Sequence, residues 1–130
     1  MFIYEKVVPF YDVDSMRVVY HGNYIKYLEE ARCAFLEKKN LTYTQMEELG
    51  FAFPIVELKV KYIKPSKFND ILEVLVSLDS FDNFLTFKYE IRNKETKEKI
   101  CKAETKQMCV DVTKKESLFE IPQEIVSRLK

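Results

Sequence analysis

Apolar side chains recur every three or four residues after Asn23, which is the spacing of one face of an α-helix. The apolar set is Tyr24, Tyr27, Leu28, Ala31, Ala34 and Phe35, and the charged residues on the other side are Lys26, Glu29, Glu30, Arg32 and Lys38. Asn23 is suited to cap the start through its side-chain oxygen, and Asn40 is suited to end the helix in a left-handed conformation. Lys26 and Glu30 have the i,i+4 spacing of an ion pair. The pattern predicts one long amphipathic helix, followed by a shorter helix that ends at Gly50.

After Pro54 the apolar positions alternate with polar ones, which is the period of a half-buried β-strand. Three such runs occupy residues 56–62, 72–78 and 85–91, and a fourth, longer run extends over 100–112. The segments between the later runs, SFDNF and NKETKEK, are rich in Asp, Asn, Ser and Thr, which favour turns. The pattern predicts four strands, the later ones joined as an antiparallel meander.

The last predicted strand has small or thin residues on one face, namely Cys101, Ala103, Thr105 and Cys109. Small side chains let a helix approach closely, and the apolar faces of the other strands also need a long element to cover them. The helix after Asn23 is the only candidate. One strand, one long helix and four further strands therefore predict an α+β fold in which an antiparallel sheet wraps around that helix. Pairing of sheet edges or loops between two copies would bury more surface, so a dimer is a reasonable hypothesis.

At 130 residues the chain has the size of one domain, which we assign to residues 1–130. Apolar residues make up 47% of it and the 21 basic residues balance the 21 acidic ones, which favours a globular protein and argues against nucleic acid as a partner. There is no basic leader, and no apolar run approaches the roughly 20 residues of a membrane span. Three cysteines without C-x-x-C spacing favour reduced thiols, with Cys101 and Cys109 buried. These features predict a cytoplasmic protein.

The small numbers of glycine and histidine residues exclude several kinds of site. With only Gly22 and Gly50, the chain has no P-loop, no G-x-G-x-x-G nucleotide turn and no G-x-S-x-G nucleophile elbow. His21 is the only histidine and has no cysteine cluster to join, so no metal site is expected. Any chemistry must come from carboxylates, backbone dipoles and this histidine.

Two aspartates and the histidine gather before the long helix, in the stretch YDVDSMRVVYHGNY. In an extended chain Asp12 and Asp14 lie on the same side, about 7 Å apart. Asp14 is closer to the helix start, where unpaired N–H groups would stabilise the oxyanion of a thioester or ester while a carboxylate activates water or attacks. The segment indicates a hydrolase site without serine or metal. The alternative is that the aspartates are caps or turn residues, His21 is a surface residue and the nearby tyrosines only pack.

The longer stretch YDVDSMRVVYHGNYIKYLEEAR is similar to the signature of the hotdog-fold acyl-CoA thioesterases of the 4-hydroxybenzoyl-CoA thioesterase family, in particular its YbgC-like branch. The pattern of that branch reads D-x-D-x-x-G-x-V-Y-H-x-x-Y, followed by E-x-A-R. Downstream, LKVKYIKPSKFND resembles the second recurring segment of the family, and IPQEI resembles its C-terminal end. The resemblance covers nearly the whole chain.

The resemblance implies a hotdog fold, homodimers or homotetramers, and hydrolysis of acyl-CoA to free acid and CoA without a cofactor. It implies that Asp14 is the general base or nucleophile. The backbone N–H of His21 is implied to polarise the thioester carbonyl, with the His21 side chain near the reacting centre. Tyr20, Asn23 and Tyr24 match positions near the acyl pocket and the helix start.

Two further loop positions are interpreted separately. Asp12 is assigned to holding the loop. Arg17 stands where the family usually has glycine, and if this position has a positive φ, a side chain there is strained and the loop runs differently. Arg17 is expected to be exposed, with restriction of the acyl pocket or contact with a CoA phosphate as alternatives.

The same residues are compatible in part with three other functions. A non-catalytic acyl-CoA or acyl-carrier binding module could use the same fold, although the presence of both Asp14 and His21 favours catalysis. A haloacid-dehalogenase phosphatase also has an apolar strand before D-x-D, but it needs a magnesium-binding acidic motif and a longer parallel α/β domain. A hotdog dehydratase pairs a histidine with an acid on the central helix, whereas Glu29 and Glu30 are better explained by pairing on the helix surface.

Overall fold

The computed structural model describes residues 1–130, in which one long helix packs against a seven-stranded antiparallel sheet. The elements are β1 Phe2–Val7, α1 Asn23–Lys38, α2 Tyr43–Glu48, β2 Phe51–Ala52, β3 Ile55–Tyr62, β4 Ile71–Ser80, β5 Phe84–Asn93, β6 Lys99–Asp111, β7 Glu116–Leu118 and α3 Gln123–Leu129. None of the helices combines the length and the apolar character needed to cross a membrane.

Every pair of neighbouring strands in the sheet is antiparallel. The strands follow the order β1-β4-β5-β6, with β3 on the far side of β6, while β2 and β7 pair with the last residues of β6. The predicted meander is therefore confirmed for β4, β5 and β6. The first of the four predicted strands, β3, is not part of it, because residues 63–70 carry the chain across to the other side of the sheet.

Helix α1 covers the inner face of the sheet, and the core lies between them. The helix contributes buried Tyr27, Leu28, Ala31 and Leu36, and β4 and β5 contribute Leu72, Val74, Val76, Leu85, Phe87 and Ile91. Each large apolar side chain buried in this way stabilises the fold by about 1.5–3 kcal/mol. This arrangement confirms the predicted α+β hotdog fold, in which the sheet wraps around one long helix.

The start of α1 differs from its prediction in two details. Asn23 does not cap the helix, because its Nδ2 donates instead to the carbonyl oxygen of Asp12 at 2.9 Å. The predicted pair of Lys26 with Glu30 is also wrong. Lys26 Nζ lies 3.4 Å from Asp12 Oδ1, and Glu30 accepts a hydrogen bond from the hydroxyl of Tyr4 at 3.0 Å. In both cases a partner distant in sequence replaces the local one.

The residues predicted to end α1 and α2 are confirmed. Asn40 follows α1 with a φ of 53°, in the left-handed region. The short helix α2 has Thr42 as its N-cap, in a reciprocal capping box with Gln45, and Gly50 after it has a φ of 95°. Two later elements, β7 and α3, were not predicted, and α3 adds Ile125 and Leu129 to the core.

The cysteines are unpaired, and their exposure follows the prediction. Cys101 and Cys109 are fully buried on the inner face of β6, whereas Cys33 is exposed on α1. Burial raises the pKa of both buried thiols to about 11, and the nearby Asp111 carboxylate adds to the rise at Cys109. The two buried thiols are therefore neutral, apolar core groups at physiological pH.

Candidate active site

The loop before α1 is a small hairpin with a tight turn. A 3-10 turn, Phe10–Asp12, leads into an isolated bridge between Val13 and Val19. At its tip the Asp14 N–H donates to the Val18 carbonyl and the Arg17 N–H donates to the Asp14 carbonyl, each at 2.9 Å. The extended chain expected between Asp12 and Asp14 is therefore not formed, because the first ends a helical turn and the second begins a hairpin turn.

Asp12 is buried, and its carboxylate is fully engaged. Its Oδ2 accepts a hydrogen bond from the Tyr27 hydroxyl at 2.6 Å, and its Oδ1 lies 3.4 Å from Lys26 Nζ. Its carbonyl oxygen accepts from the Tyr20 N–H and from the Asn23 side chain. Burial and the hydrogen bond to this carboxylate raise the pKa of Tyr27, so the phenol stays a donor. These contacts tie the loop to the first two turns of α1.

Asp14 has the opposite environment. Its side chain is exposed, its Oδ1 accepts the Met16 N–H at 2.8 Å, and its Oδ2 has no partner in the chain. A carboxylate with one oxygen fixed by a backbone donor and one oxygen open is able to accept a proton from water or to attack a carbonyl. Arg17, across the turn, has a φ of 67° and an exposed side chain. Arg17 therefore occupies a left-handed position that favours glycine, which is the strained case considered from the sequence, and its side chain is exposed as expected.

The start of α1 presents backbone donors without partners. The Asn23 N–H donates to the Tyr20 carbonyl and the Tyr24 N–H to the His21 carbonyl, but the N–H groups of His21 and Gly22 donate to nothing in the chain. They lie at the positive end of the dipole of a 16-residue helix. This end of α1 can therefore stabilise negative charge that develops on a carbonyl oxygen.

Aromatic rings flank these donors. The His21 ring is exposed, with its centroid 4.5 Å from the ring of Tyr20 and 5.8 Å from that of Tyr62. The Tyr62 hydroxyl, at the end of β3, donates to the His21 carbonyl at 3.0 Å. A Cβ atom on Gly22 would lie 2.7 Å from Cε2 of Tyr20, so the absence of a side chain at Gly22 lets this ring lie against the helix start.

The three residues predicted to bind substrate differ in their exposure and in their hydrogen bonds. Tyr20 is half exposed beside His21, whereas the Asn23 side chain is turned to the Asp12 carbonyl. Tyr24 is buried, and its hydroxyl accepts the Ser66 N–H at 3.0 Å. No hydrogen bond joins Asp14 to His21, so a substrate would have to bridge the two.

Gly22 and Tyr62 were not identified as site residues from the sequence. Gly22 is one of only two glycines in the chain, and this rarity next to His21 could have marked it as a site residue. Tyr62 lies in an alternating strand and in the segment LKVKYIKPSKFND that resembles the family, but its place beside His21 depends on how β3 pairs in the sheet. The structure holds no group of three or more His, Cys, Asp or Glu side chains arranged to bind a metal ion.

The chain is similar to known proteins over nearly its whole length. A sequence model described as the thioesterase-like superfamily matches residues 8–129. The chain belongs to the thioesterase-like superfamily. Its relatives are named acyl-CoA thioesterases and thioester hydrolases, which identifies it as a thioester hydrolase, as the motif between Tyr11 and Arg32 predicts.

Individual members of the superfamily are similar over most of their length. The chain is 32% identical over 108 residues to the acyl-CoA thioesterase YbgC of Haemophilus influenzae, covering 82% of this chain and 79% of the relative. It is 29% identical over 124 residues to the acyl-CoA thioester hydrolase YbgC of Escherichia coli, covering 95% and 91%. The crystal structure of a hypothetical protein from Aquifex aeolicus matches with a TM-score of 0.87 and 32% identity over 100% of both chains. These matches confirm the resemblance to the YbgC-like thioesterases.

Proposed function

We propose that the chain, acting as a single domain over residues 1–130, hydrolyses acyl-CoA thioesters to a free acid and CoA without a cofactor. The observation that carries the proposal is the pair of unpartnered N–H groups at His21 and Gly22, together with the open carboxylate oxygen of Asp14. Val18 lies opposite Asp14 in the hairpin, and about 10 Å of chain separates Val18 from His21. The carboxylate and the donors therefore belong to the same loop, and the proposal is that a thioester binds between them. The names of the YbgC relatives support CoA as the thiol.

The proposed reaction begins with the thioester carbonyl oxygen accepting hydrogen bonds from the N–H groups of His21 and Gly22. With Asp14 as general base, its carboxylate takes a proton from a water, and the water oxygen bonds to the carbonyl carbon. The oxyanion that forms is stabilised by the two donors and the helix dipole. When it collapses, the C–S bond breaks and the CoA sulfur takes the proton from Asp14. In the alternative, Asp14 attacks directly, CoA leaves, and water hydrolyses the resulting anhydride.

The proposal includes a homodimer or homotetramer in the cytoplasm. Strand β3 has β6 as its only partner, and its exposed residues include Ile55, Val56, Leu58 and Tyr62. An open, apolar sheet edge favours pairing with a second copy. Because the Tyr62 hydroxyl reaches the His21 carbonyl, such a copy would lie next to the site. The unpaired cysteines fit a reducing compartment.

The test is release of CoA from short, long and aromatic acyl-CoAs, measured by chromatography because three free cysteines could consume a thiol dye. Asp14→Asn keeps the shape of the side chain and removes the base. We expect it to lower kcat/KM by about 10²- to 10⁴-fold. Asp82→Asn, at an exposed aspartate between β4 and β5, is the matched control and should retain the wild-type rate.

The rival function is a non-catalytic module that binds acyl-CoA or an acyl carrier on the same fold. Binding of acyl-CoA by the wild type without turnover would favour it. Full activity of a folded Asp14→Asn variant would show that the site assigned here is wrong.

A further inference from the structure

An arginine is buried in the middle of α1, at a position that the sequence pattern assigned to the polar face. Arg32 is only 4% exposed. Its Nε donates to the Tyr43 hydroxyl at 2.7 Å and its Nη1 donates to the Tyr89 hydroxyl at 3.2 Å. The Tyr89 hydroxyl also shares a hydrogen bond of 2.7 Å with Thr105 of β6. The guanidinium is therefore held between the helix and the inner face of the sheet.

The charge of this guanidinium is poorly balanced. Its only acidic partner is Glu29, at 3.4 Å from Nη2, and the Glu29 side chain is 63% exposed. Tyr89 offers a neutral hydroxyl, because burial raises its pKa although Arg32 itself opposes the rise. An arginine has five N–H donors, and three of them are used by Tyr43, Tyr89 and Glu29. Each guanidinium nitrogen has one partner, and the two hydrogens left over on Nη1 and Nη2 can still donate to an anion.

A cavity of about 60 Å³ lies against Arg32. Ile25, Leu28 and Glu29 line it with Arg32 on the helix side, and Ile55 and Leu58 of β3 with Thr105 of β6 line it on the sheet side. The volume is about that of two water molecules, which is enough for a carboxylate group. Mostly apolar walls around a few convergent polar groups are typical of a ligand pocket.

The cavity begins at the helix end that carries the proposed active site. Ile25 is in the first turn of α1, next to the free donors of His21 and Gly22. Arg32 follows Gly22 by ten residues, or about 15 Å along the helix axis. Helical side chains lean toward the N-terminus, so the guanidinium lies closer to the donors than that. The cavity has room only for the end group, so an acyl chain whose carbonyl is held at the donors would lie over the exposed apolar side chains of Ile25 and Leu58 on its way to Arg32.

We propose that the acyl group of the substrate ends in a carboxylate that binds Arg32, which makes the substrate class medium-length ω-carboxyacyl-CoA. The carboxylate accepts the two free N–H groups of the guanidinium and displaces the exposed Glu29 side chain into solvent. The assignment of the thioester end rests on the proposed function above. The assignment of the carboxylate end rests on the burial, hydrogen bonds and cavity of Arg32.

The first experiment compares kcat/KM for adipoyl-, suberoyl- and sebacoyl-CoA with hexanoyl-, octanoyl- and decanoyl-CoA of matched chain length. At the best length we expect the carboxylated substrate to be preferred by at least about 10-fold, the effect of one charged hydrogen-bonded pair. ω-Hydroxyoctanoyl-CoA tests for a merely polar end and should not match suberoyl-CoA. A wild-type preference for the plain acyl chains, or equal rates with the hydroxyl compound, would overturn the proposal.

Two variants test the role of the charge. Arg32→Met has a similar length and no charge, and it should abolish the preference for suberoyl-CoA over octanoyl-CoA. Since loss of a buried arginine can impair folding, Glu29→Gln provides a second test on an exposed side chain. Removing the competing carboxylate should increase the preference by about 2- to 5-fold. Glu37→Gln, an exposed glutamate further along α1, is the control and should leave the preference unchanged.

Equilibrium binding separates this proposal from the proposed function. The Kd values of suberoyl-CoA and octanoyl-CoA are measured by calorimetry with the Asp14→Asn variant, so that no hydrolysis is needed. A tighter Kd for suberoyl-CoA without any turnover by the wild type would support the carboxylate site and contradict the hydrolase. Turnover of both substrates at equal rates, unaffected by Glu29→Gln, would retain the hydrolase and overturn the carboxylate site.

Discussion

Asp12 and Asp14 are separated by one residue, yet one is a buried anchor and the other an exposed candidate for chemistry. The difference comes from the chain direction at Val13, where a 3-10 turn changes into a hairpin strand. A carboxylate that already accepts from Tyr27 and contacts Lys26 has no oxygen left to activate water. The open oxygen of Asp14 has that freedom. The residue with fewer contacts within the chain is therefore the better candidate for catalysis.

Arg17 provides a test of strain at the residue scale. Its φ of 67° is a conformation that glycine adopts readily and that disfavours a residue with a Cβ atom. Arg17→Gly should therefore raise the free energy of unfolding by about 0.5–1 kcal/mol, measured by urea denaturation. The gain is limited because glycine also increases the entropy of the unfolded chain.

Arg17→Ala is the matched control, because it removes the guanidinium and keeps the Cβ atom. Its stability should stay within about 0.5 kcal/mol of the wild type. An equal gain in both variants would show that the arginine side chain, and not the backbone conformation, is the unfavourable feature.

At the scale of the element, the start of α1 combines three features that a substrate carbonyl would meet: free N–H groups, a close aromatic ring and no side chain at Gly22. The free N–H groups belong to His21 and Gly22 just before the first turn, and no carbonyl of the chain accepts from them. The close ring follows from the missing Cβ atom at Gly22. The donors would be less accessible if a larger residue displaced the Tyr20 ring.

Gly22→Ala tests this arrangement. The new Cβ atom would lie 2.7 Å from Cε2 of Tyr20, so the ring must move. Tyr20 is 52% exposed and can swing outward, so stability should change by less than about 1 kcal/mol. The rate should fall more strongly, by about 10- to 100-fold in kcat/KM, because small displacements at a reacting centre have large effects.

Gly50→Ala is the contrasting control at the other glycine. Position 50 has a φ of 95° and open space around it, so alanine there should lower stability through backbone strain and leave kcat/KM per folded molecule unchanged. Equal activity of folded Gly22→Ala and wild type would show that the position of the Tyr20 ring has no role in turnover.

The sequence predicts the periodic elements and misses features that depend on tertiary partners. The period of α1 and the alternation in β3 to β6 each extend over eight or more residues, which is enough to identify them. The helix period also assigned Arg32 to the polar face, and only the position of Tyr43 and Tyr89 explains its burial. Strand β7 has three residues, too few for any period.

The candidate site likewise has some features that are visible in the sequence and others that depend on tertiary partners. Asp14 and His21 were found from a motif, because their residue types and spacing are visible in one stretch of sequence. Unpaired donors at the helix start, including the His21 N–H, were also expected. The Tyr62 contact was not, because β3 and the helix start are brought together only by the pairing of β3 with β6. The sequence therefore identifies which groups can react, and the tertiary structure identifies what surrounds them.

For the whole molecule, the open edge of β3 has a consequence that can be measured. Val56 is 49% exposed on this strand, and a lysine there would place charges together in an edge-to-edge pair of copies. Val56→Lys should therefore reduce the fraction of dimer or tetramer in light scattering coupled to size-exclusion chromatography. Its activity should fall with the loss of assembly if the partner lies next to the site.

Val112→Lys is the matched control, because Val112 is 43% exposed and lies outside β3. It should leave the assembly intact. A monomeric wild type, or equal dissociation of both variants, would show that the β3 edge is not the contact between copies.

The order of the elements along the chain also affects how the protein is made. Helix α1 is complete at Lys38, but the strands that cover its apolar face begin at Ile71 and end at Asp111. At a synthesis rate of about 5–20 residues per second, the helix waits about 4–15 s for its sheet to leave the ribosome. During that interval its aromatic face is exposed to other chains. The nascent protein is therefore expected to depend on a chaperone that holds this segment, even if the finished fold is stable.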